Sequence, residues 1–221
     1  MLARFDRRVV PEPVLELVRS IQAKMPCQLG GGAALSGAYL AHRLSHDVDL
    51  FCESREGVRT LVDALPSIAA ETGARLELVR DAGSFARAHC ELGGQSLELD
   101  LVWESPPDLG SPAVLEGVRV RSLEDLRASK LTCLLSRSEP RDLVDVLFIE
   151  RAGYRVEADL PLALQKDRGI DPGVLAWLMR EFPTRPMPKM LEPLSEDELL
   201  KFRGQLRDRL RSLAVPEQQE E

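Results

Sequence analysis

Apolar positions along this chain change their spacing near residue 122, from mixed alternating and helical periods to helical periods alone. Val14, Leu17, Val18 and Ile21 recur on one helical face, which predicts a helix over about 14–25 that Pro26 terminates. A short strand then reaches Gly30, Gly31 and Gly32, and the alanines and leucines of AALSGAYLAHR favour helix, so the order is strand, glycine turn, helix. DVDLF reads as the next strand. Val58, Leu61, Val62, Leu65 and Ile68 mark an amphipathic helix between about 55 and 70 that packs on a sheet. ARLELVR, SFARAHCEL and QSLELDLVW alternate or are β-prone, with Gly93-Gly94 as the hairpin turn between the last two. Three strands in succession imply antiparallel pairing.

After the Pro106-Pro107 loop and a short strand in GVRVRS, helices are predicted at about 123–136, 141–152, 158–168, 172–181 and 195–213. Ser195 and Glu198 form the signature of a capping box at the start of the last one. The predicted class is therefore α/β (α+β): a mixed sheet flanked by helices over residues 1–122, then a helical C-terminal domain over 123–221. No internal repeat is present, and the PEQQEE tail is expected to fray.

Asp47 and Asp49 flank one valine in a strand, so both carboxylates face the same side while Val48 and Leu50 face the core. QSLELDLV repeats the arrangement, with Leu97, Leu99 and Leu101 apolar and Glu98 and Asp100 polar. If the two strands are neighbours, three carboxylates converge and repel unless a cation compensates them. Magnesium suits such a set, because it takes hard oxygen ligands and combines one or two carboxylates with substrate phosphates. An isolated D-x-D is usually a pair of solvent-facing strand residues. Here a glycine turn running into a helix N-terminus, which offers N–H groups to phosphate, precedes the acids by about fifteen residues. His42 and His46 stand four apart, but Leu44-Ser45 should leave the helix, so they border the site rather than bind metal; His89 beside Cys90 reads as packing.

Composition narrows the possibilities. A hydrophobic fraction of 44% and a charged fraction of 29% belong to a soluble globular protein. No apolar run reaches the roughly 20 residues of a membrane helix, and the N-terminal stretch lacks a signal-peptide pattern, so a cytoplasmic location is expected. Cys27, Cys52, Cys90 and Cys133 show no metal or redox spacing and are expected to be reduced and buried. The net charge of −7 argues against a broadly basic nucleic-acid surface and leaves a local basic patch open.

The glycine turn, helix and D-x-D in this order resemble the nucleotidyltransferase superfamily that includes DNA polymerase β and the aminoglycoside nucleotidyltransferases. LGGGAALSGAYLAHRLSHDVDLF is similar to the first motif of the AbiEii-type abortive-infection toxin family, approximately GGTAL, a spacer and R-x-S-x-D-x-D. Gly31, Gly32, Ala34, Leu35, Arg43, Ser45, Asp47 and Asp49 fit; Ala33 replaces the usual threonine and its phosphate-contacting hydroxyl. LEDLRASKLTCLLSRSEPRDLVDVLFI is similar to the family's later motif at Lys130, Arg137, Arg141, Asp142 and Asp145. The resemblance spans roughly residues 28–150.

It implies a minimal nucleotidyltransferase domain that moves a nucleoside monophosphate from a nucleoside triphosphate, ATP among them, to an acceptor hydroxyl. Asp47, Asp49 and Asp100 would hold Mg2+, with Asp100 alternatively taking the acceptor's proton. Gly31, Gly32, Arg43, Ser45 and Lys130 would bind the nucleotide, and Asp145 would support the site. A toxin of a toxin–antitoxin system acting on RNA, with tRNA the expected target and a separately encoded antitoxin as partner, is the implied setting. A small-molecule or protein acceptor, or a non-catalytic relic that binds nucleotide or a partner, are the alternatives; retention of all five catalytic positions speaks against the relic. From the residues alone, Lys130 is a solvated helix charge and Asp145 an (i, i+4) partner of Arg141. Against that, Arg119, Arg121, Arg127, Lys130, Arg137 and Arg141 make the stretch locally basic, as a triphosphate-facing wall requires.

Overall fold

The computed structural model describes residues 1–214, so the PEQQEE tail lies outside the described residues. The chain divides into two compact units, Met1–Leu123 and a second beginning at Glu124.

The first unit opens with α1 (Glu12–Lys24), β1 (Cys27–Leu29) and α2 (Gly31–Ala34). Rather than continuing as an α-helix, α2 runs into a π-helical segment, Leu35–Leu40, and ends at Ala41 in the left-handed region (φ 53°). The predicted helix thus stops before His42, and Arg43 and Ser45 lie on the extended chain that enters β2 (Asp47–Cys52). After α3 (Arg55–Thr72) come β3 (Arg75–Asp81), β4 (Phe85–Leu92), β5 (Gln95–Val102), β6 (Ala113–Leu115) and β7 (Val118–Val120). Their order in the sheet is β3-β4-β5-β2-β1-β7-β6.

The expected β3-β4-β5 meander is antiparallel. Gly93 and Gly94 both take positive φ (60° and 76°), the geometry of a type I′ hairpin turn. Across the middle of the sheet, β2 pairs in parallel with β5 and antiparallel with β1. The strand β6 was not predicted; with three residues it is too short to show a period, and its hairpin to β7 turns on Glu116 and Gly117 at positive φ.

One face of this sheet is apolar. Val48, Leu50 and Cys52 of β2 and Leu97, Leu99 and Leu101 of β5 are buried, as are Leu17, Val18 and Ile21 of α1 and Val58, Leu61 and Ile68 of α3. Ser54 caps α3 by accepting from the Gly57 N–H at 3.0 Å. With its core committed to that face, the sheet leaves Asp47, Asp49 and Phe51 on the other.

The second unit is helical: α4 (Leu123–Ser136), α5 (Pro140–Arg151), α6 (Val156–Lys166), α7 (Pro172–Leu178) and α8 (Glu196–Ala214). The capping box forms as expected, the Glu198 N–H donating to Ser195 Oγ at 3.2 Å and the Ser195 N–H to Glu198 Oε2 at 3.1 Å. No helix among the described residues is long and apolar enough to cross a membrane.

Candidate active site

In the first unit the register of three strands builds a grid of charge. Asp47 aligns with Glu98 and Asp49 with Asp100 across β2 and β5; Glu98 aligns with His89 and Asp100 with Arg87 across β5 and β4. Aligned residues share a face, so Asp47, Asp49, Glu98 and Asp100 stand together beside Arg87 and His89. Asp100, only 5% exposed, accepts two hydrogen bonds from Arg87, from Nε to Oδ1 at 2.7 Å and from Nη2 to Oδ2 at 2.6 Å. This bidentate bond, with the nearby Glu98 and Asp47 charges, outweighs desolvation and raises the Arg87 pKa above its ordinary value. His89 Nδ1 lies 3.2 Å from Glu98 Oε1, so this histidine, expected only to pack, belongs to the polar face.

The glycine turn closes one side of that face. Antiparallel pairing of β1 with β2 carries the end of β1 back beside Asp49, and the Gly30 N–H donates to the Asp49 carbonyl at 2.8 Å. Gly31 has φ 60°, and a Cβ there would fall 1.7 Å from Asp49 Oδ2, so the carboxylate occupies the space a side chain would need. A Cβ on Gly32 would meet Arg43 Nη2 at 2.7 Å and Ser45 Oγ at 2.8 Å. The guanidinium, the hydroxyl and the Asp49 carboxylate therefore converge on two consecutive glycines. Ser36 fastens the returning chain, donating to the Arg43 carbonyl at 2.6 Å and accepting from its N–H at 3.1 Å. Further along the face, a hollow of about 380 Å3 opens beside Phe51, lined also by Gln28, Trp103, Asp108 and Arg121.

Among the described residues no three His, Cys, Asp or Glu side chains are gathered closely enough to hold a metal ion by themselves. Asp100 shares the face, but both its oxygens bond Arg87. Asp47 and Asp49 form an acidic pair beside the glycine turn. That donor set fits magnesium, which commonly takes one or two carboxylates and completes its shell with phosphate oxygens and water.

The second unit holds a different arrangement. Lys130, 3% exposed, lies 3.1 Å from Asp142 Oδ1 and 2.7 Å from Asp145 Oδ2, both carboxylates being fully buried. Arg137 adds two hydrogen bonds to Asp142, each at 2.8 Å. Burial alone would raise the Asp142 carboxyl; Arg137 and Lys130 outweigh it and hold it below its ordinary value. Lys130 is thus no solvated surface charge, and Asp145 bonds Lys130. Arg127 pairs with Asp159 at 3.4 Å, and Arg141 with Glu139 at 2.6 Å. In the second unit the basic residues of this stretch are matched by carboxylates, and in the first unit Arg121 is likewise paired with Glu104 and Asp108.

The description Nucleotidyl transferase AbiEii toxin, Type IV TA system, belongs to a family whose sequence profile matches residues 18–219. The chain belongs to this family. Among solved structures it is similar to JHP933 from Helicobacter pylori, at 22% identity and a TM-score of 0.58, over 93% of this chain and 91% of that one. MenT4, a nucleotidyltransferase toxin from Mycobacterium tuberculosis H37Rv, matches at 15% identity and a TM-score of 0.53, over 96% of this chain and 90% of that one. These likenesses establish a shared nucleotidyltransferase fold. No curated protein matches the sequence.

Sequence reasoning missed Arg87. The alternation of Phe85, Arg87 and His89 in β4 was visible, but only the pairing of β4 with β5 places Arg87 opposite Asp100. It also missed that Cys27 and Cys52 face one another across β1 and β2; both are free thiols, which burial pushes up to about 12 and about 11.

Gly31→Ala should destabilise the protein by at least about 1 kcal/mol through the left-handed backbone alone, and more through the collision with Asp49. Urea denaturation measures this, and unchanged stability would show that the turn is not built around the carboxylate. Lys130→Met should cost about 3–5 kcal/mol by removing the cation that bridges buried Asp142 and Asp145. A change within about 0.5 kcal/mol in the same measurement would mark Lys130 as an ordinary surface charge instead.

Proposed function

We propose that this AbiEii family member transfers a nucleoside monophosphate from a nucleoside triphosphate to an acceptor hydroxyl, releasing pyrophosphate, and that the acceptor is RNA. The observation that supports this most strongly is the convergence of Asp49, Arg43 and Ser45 on Gly31 and Gly32. A helix N-terminus presents backbone N–H groups to phosphate oxygens, and two adjacent glycines there let charged and polar groups approach the backbone closely. Arg43 supplies a fixed positive charge there, and Ser45 a hydroxyl whose weak bond to the Asp47 carbonyl, at 3.3 Å, must be exchanged for one to phosphate.

In this reading Asp47 and Asp49 hold Mg2+ with the triphosphate, and the ion, when bound, neutralises charge that develops on the phosphates. The chain's own residues then act by positioning. The glycine turn fixes the phosphates, Arg43 orients them, and Arg87 holds Asp100 in line with Asp49 while balancing the acidic face. For Asp100 to join the metal shell, or to take the acceptor's proton, its bond to Arg87 must open. Lys130 and Asp145 stand differently. The second unit's geometry supports a buried, structure-bearing ion pair, and their service to the triphosphate rests on the family motif alone.

The family's toxin–antitoxin setting supports an RNA acceptor, with tRNA the first candidate, and a separately encoded antitoxin as partner in the cytoplasm. A ligand that binds only the folded state raises its apparent stability, by about 2.7 kcal/mol at a hundredfold excess over Kd. With magnesium present, at least one of the four nucleoside triphosphates should therefore raise the melting temperature of the native chain, and the near-isosteric Asp49→Asn variant should lose the shift. If none of the four moves it, the proposal fails at its first step. Where one does, incubation of that labelled triphosphate with total RNA should transfer label to RNA with the native chain and not with the variant.

A further inference from the structure

Trp177, on α7, is 65% exposed, although burying an indole is among the largest apolar gains a side chain offers. Arg180 follows it at helical spacing, and Arg207 and Arg211 stand four apart on one side of α8. These residues line a hollow of about 490 Å3 whose wall, among the described residues, carries three arginines and no carboxylate. Trp177 and Arg180 also line a second hollow, of about 380 Å3, where Glu181 is the only acidic side chain among the described residues. The indole is thus a ridge with space on both sides.

The charges here differ from those around Lys130. Lys130, Arg127, Arg137 and Arg141 each meet a carboxylate, and Arg207 meets Asp208. Arg180 and Arg211 are exposed and make no side-chain ion pair among the described residues. Two exposed guanidinium groups with no ion pair among the described residues, beside an open aromatic face on a chain of net charge −7, form a local basic patch of the kind the overall charge left open. A purely apolar partner would leave both cations unmatched. A single nucleic-acid strand matches both features, with phosphates for the arginines and a base, on either side of the ridge, for the indole.

We propose that the Trp177–Arg180–Arg211 surface binds single-stranded RNA, the strand resting a base on the indole and its phosphates on the two arginines. This rests on the reading of RNA as the acceptor, and assigns the docking of that RNA to residues outside the glycine–aspartate face.

The test uses the full chain and short, mixed-sequence oligoribonucleotides. Trp103 and Trp177 are the two tryptophans, so in a Trp103→Phe background the fluorescence reports Trp177 alone. Stacking should quench it on titration with single strands, and duplex RNA should compete poorly. Trp177→Ala should weaken binding about 5- to 150-fold by fluorescence anisotropy of labelled RNA. Arg180→Gln with Arg211→Gln should reduce the slope of log K against log salt by about 0.7 per arginine, a readout that loss of packing would not move. Trp177→Ala, and Arg180→Gln with Arg211→Gln, each made in the chain that keeps Trp103, should retain the magnesium-dependent thermal shift by nucleoside triphosphates. Absence of that shift in the native chain counts against the nucleotidyltransferase reading. RNA binding that is undiminished in the variants, or that leaves Trp177 unquenched, overturns the docking proposal. So does loss of self-association in the variants, followed by light scattering, with RNA affinity unchanged, since the surface would then be a contact between copies.

Discussion

The first unit turns on one contact: the Asp49 carboxylate lies where a side chain on Gly31 would have to be. That contact needs a glycine with positive φ, an antiparallel β1–β2 pair that returns the chain beside Asp49, and a strand phase that turns Asp49 away from the core. Each condition comes from a separate stretch of sequence. Shifting β2 by one residue would send Val48 and Leu50 to the polar face and bury both acids, so the apolar packing of the sheet also sets the chemistry of its other face.

The two units handle buried or crowded charge in different ways. On the sheet, four carboxylates share a face with one bidentate arginine, a histidine and the glycine turn; the acids outnumber the fixed cations, as the proposed divalent-ion site would need. In the helical unit, Lys130, Arg137, Asp142 and Asp145 are matched at 2.7–3.1 Å and three of the four are almost wholly buried. Such a group brings little net stability over an apolar core of the same volume, but removing one member leaves a buried charge stranded. A motif that resembles a catalytic signature can therefore also be a structural requirement at the same residues.

How much of this was legible depended on whether a feature is local. The helix over Val14–Ile21, the Gly93-Gly94 hairpin and the Ser195–Glu198 capping box each follow from residues a few positions apart, and each formed as read. The shared face of Asp47 and Asp49 followed from the period of a strand, and that of Glu98 and Asp100 likewise; that the two pairs meet required β2 and β5 to be neighbours, which spacing could only pose as a condition. Arg87, by contrast, acquires its partner only through the register of β4, and the π-helical turn at Leu35–Leu40 has no composition that distinguishes it from an α-helix. Lys130 misled the residue-level reading because α4 has little amphipathic character, so nothing in the pattern says that this lysine faces inward. The family motifs supplied what periodicity lacked, by joining the glycine turn to the acids.

The central claim is that Asp47 and Asp49, beside the glycine turn, form the place where a divalent ion and a triphosphate are held together. Manganese can replace magnesium at such hard-oxygen sites, and its electron paramagnetic resonance distinguishes bound from free ion. Titrating the native chain with Mn2+, with and without a non-hydrolysable nucleoside triphosphate, should show ion binding that tightens when the triphosphate is present, and Asp47→Asn and Asp49→Asn should each abolish that coupling while the protein remains folded. Equal coupling in the native chain and both variants would place the ion elsewhere and contradict the account.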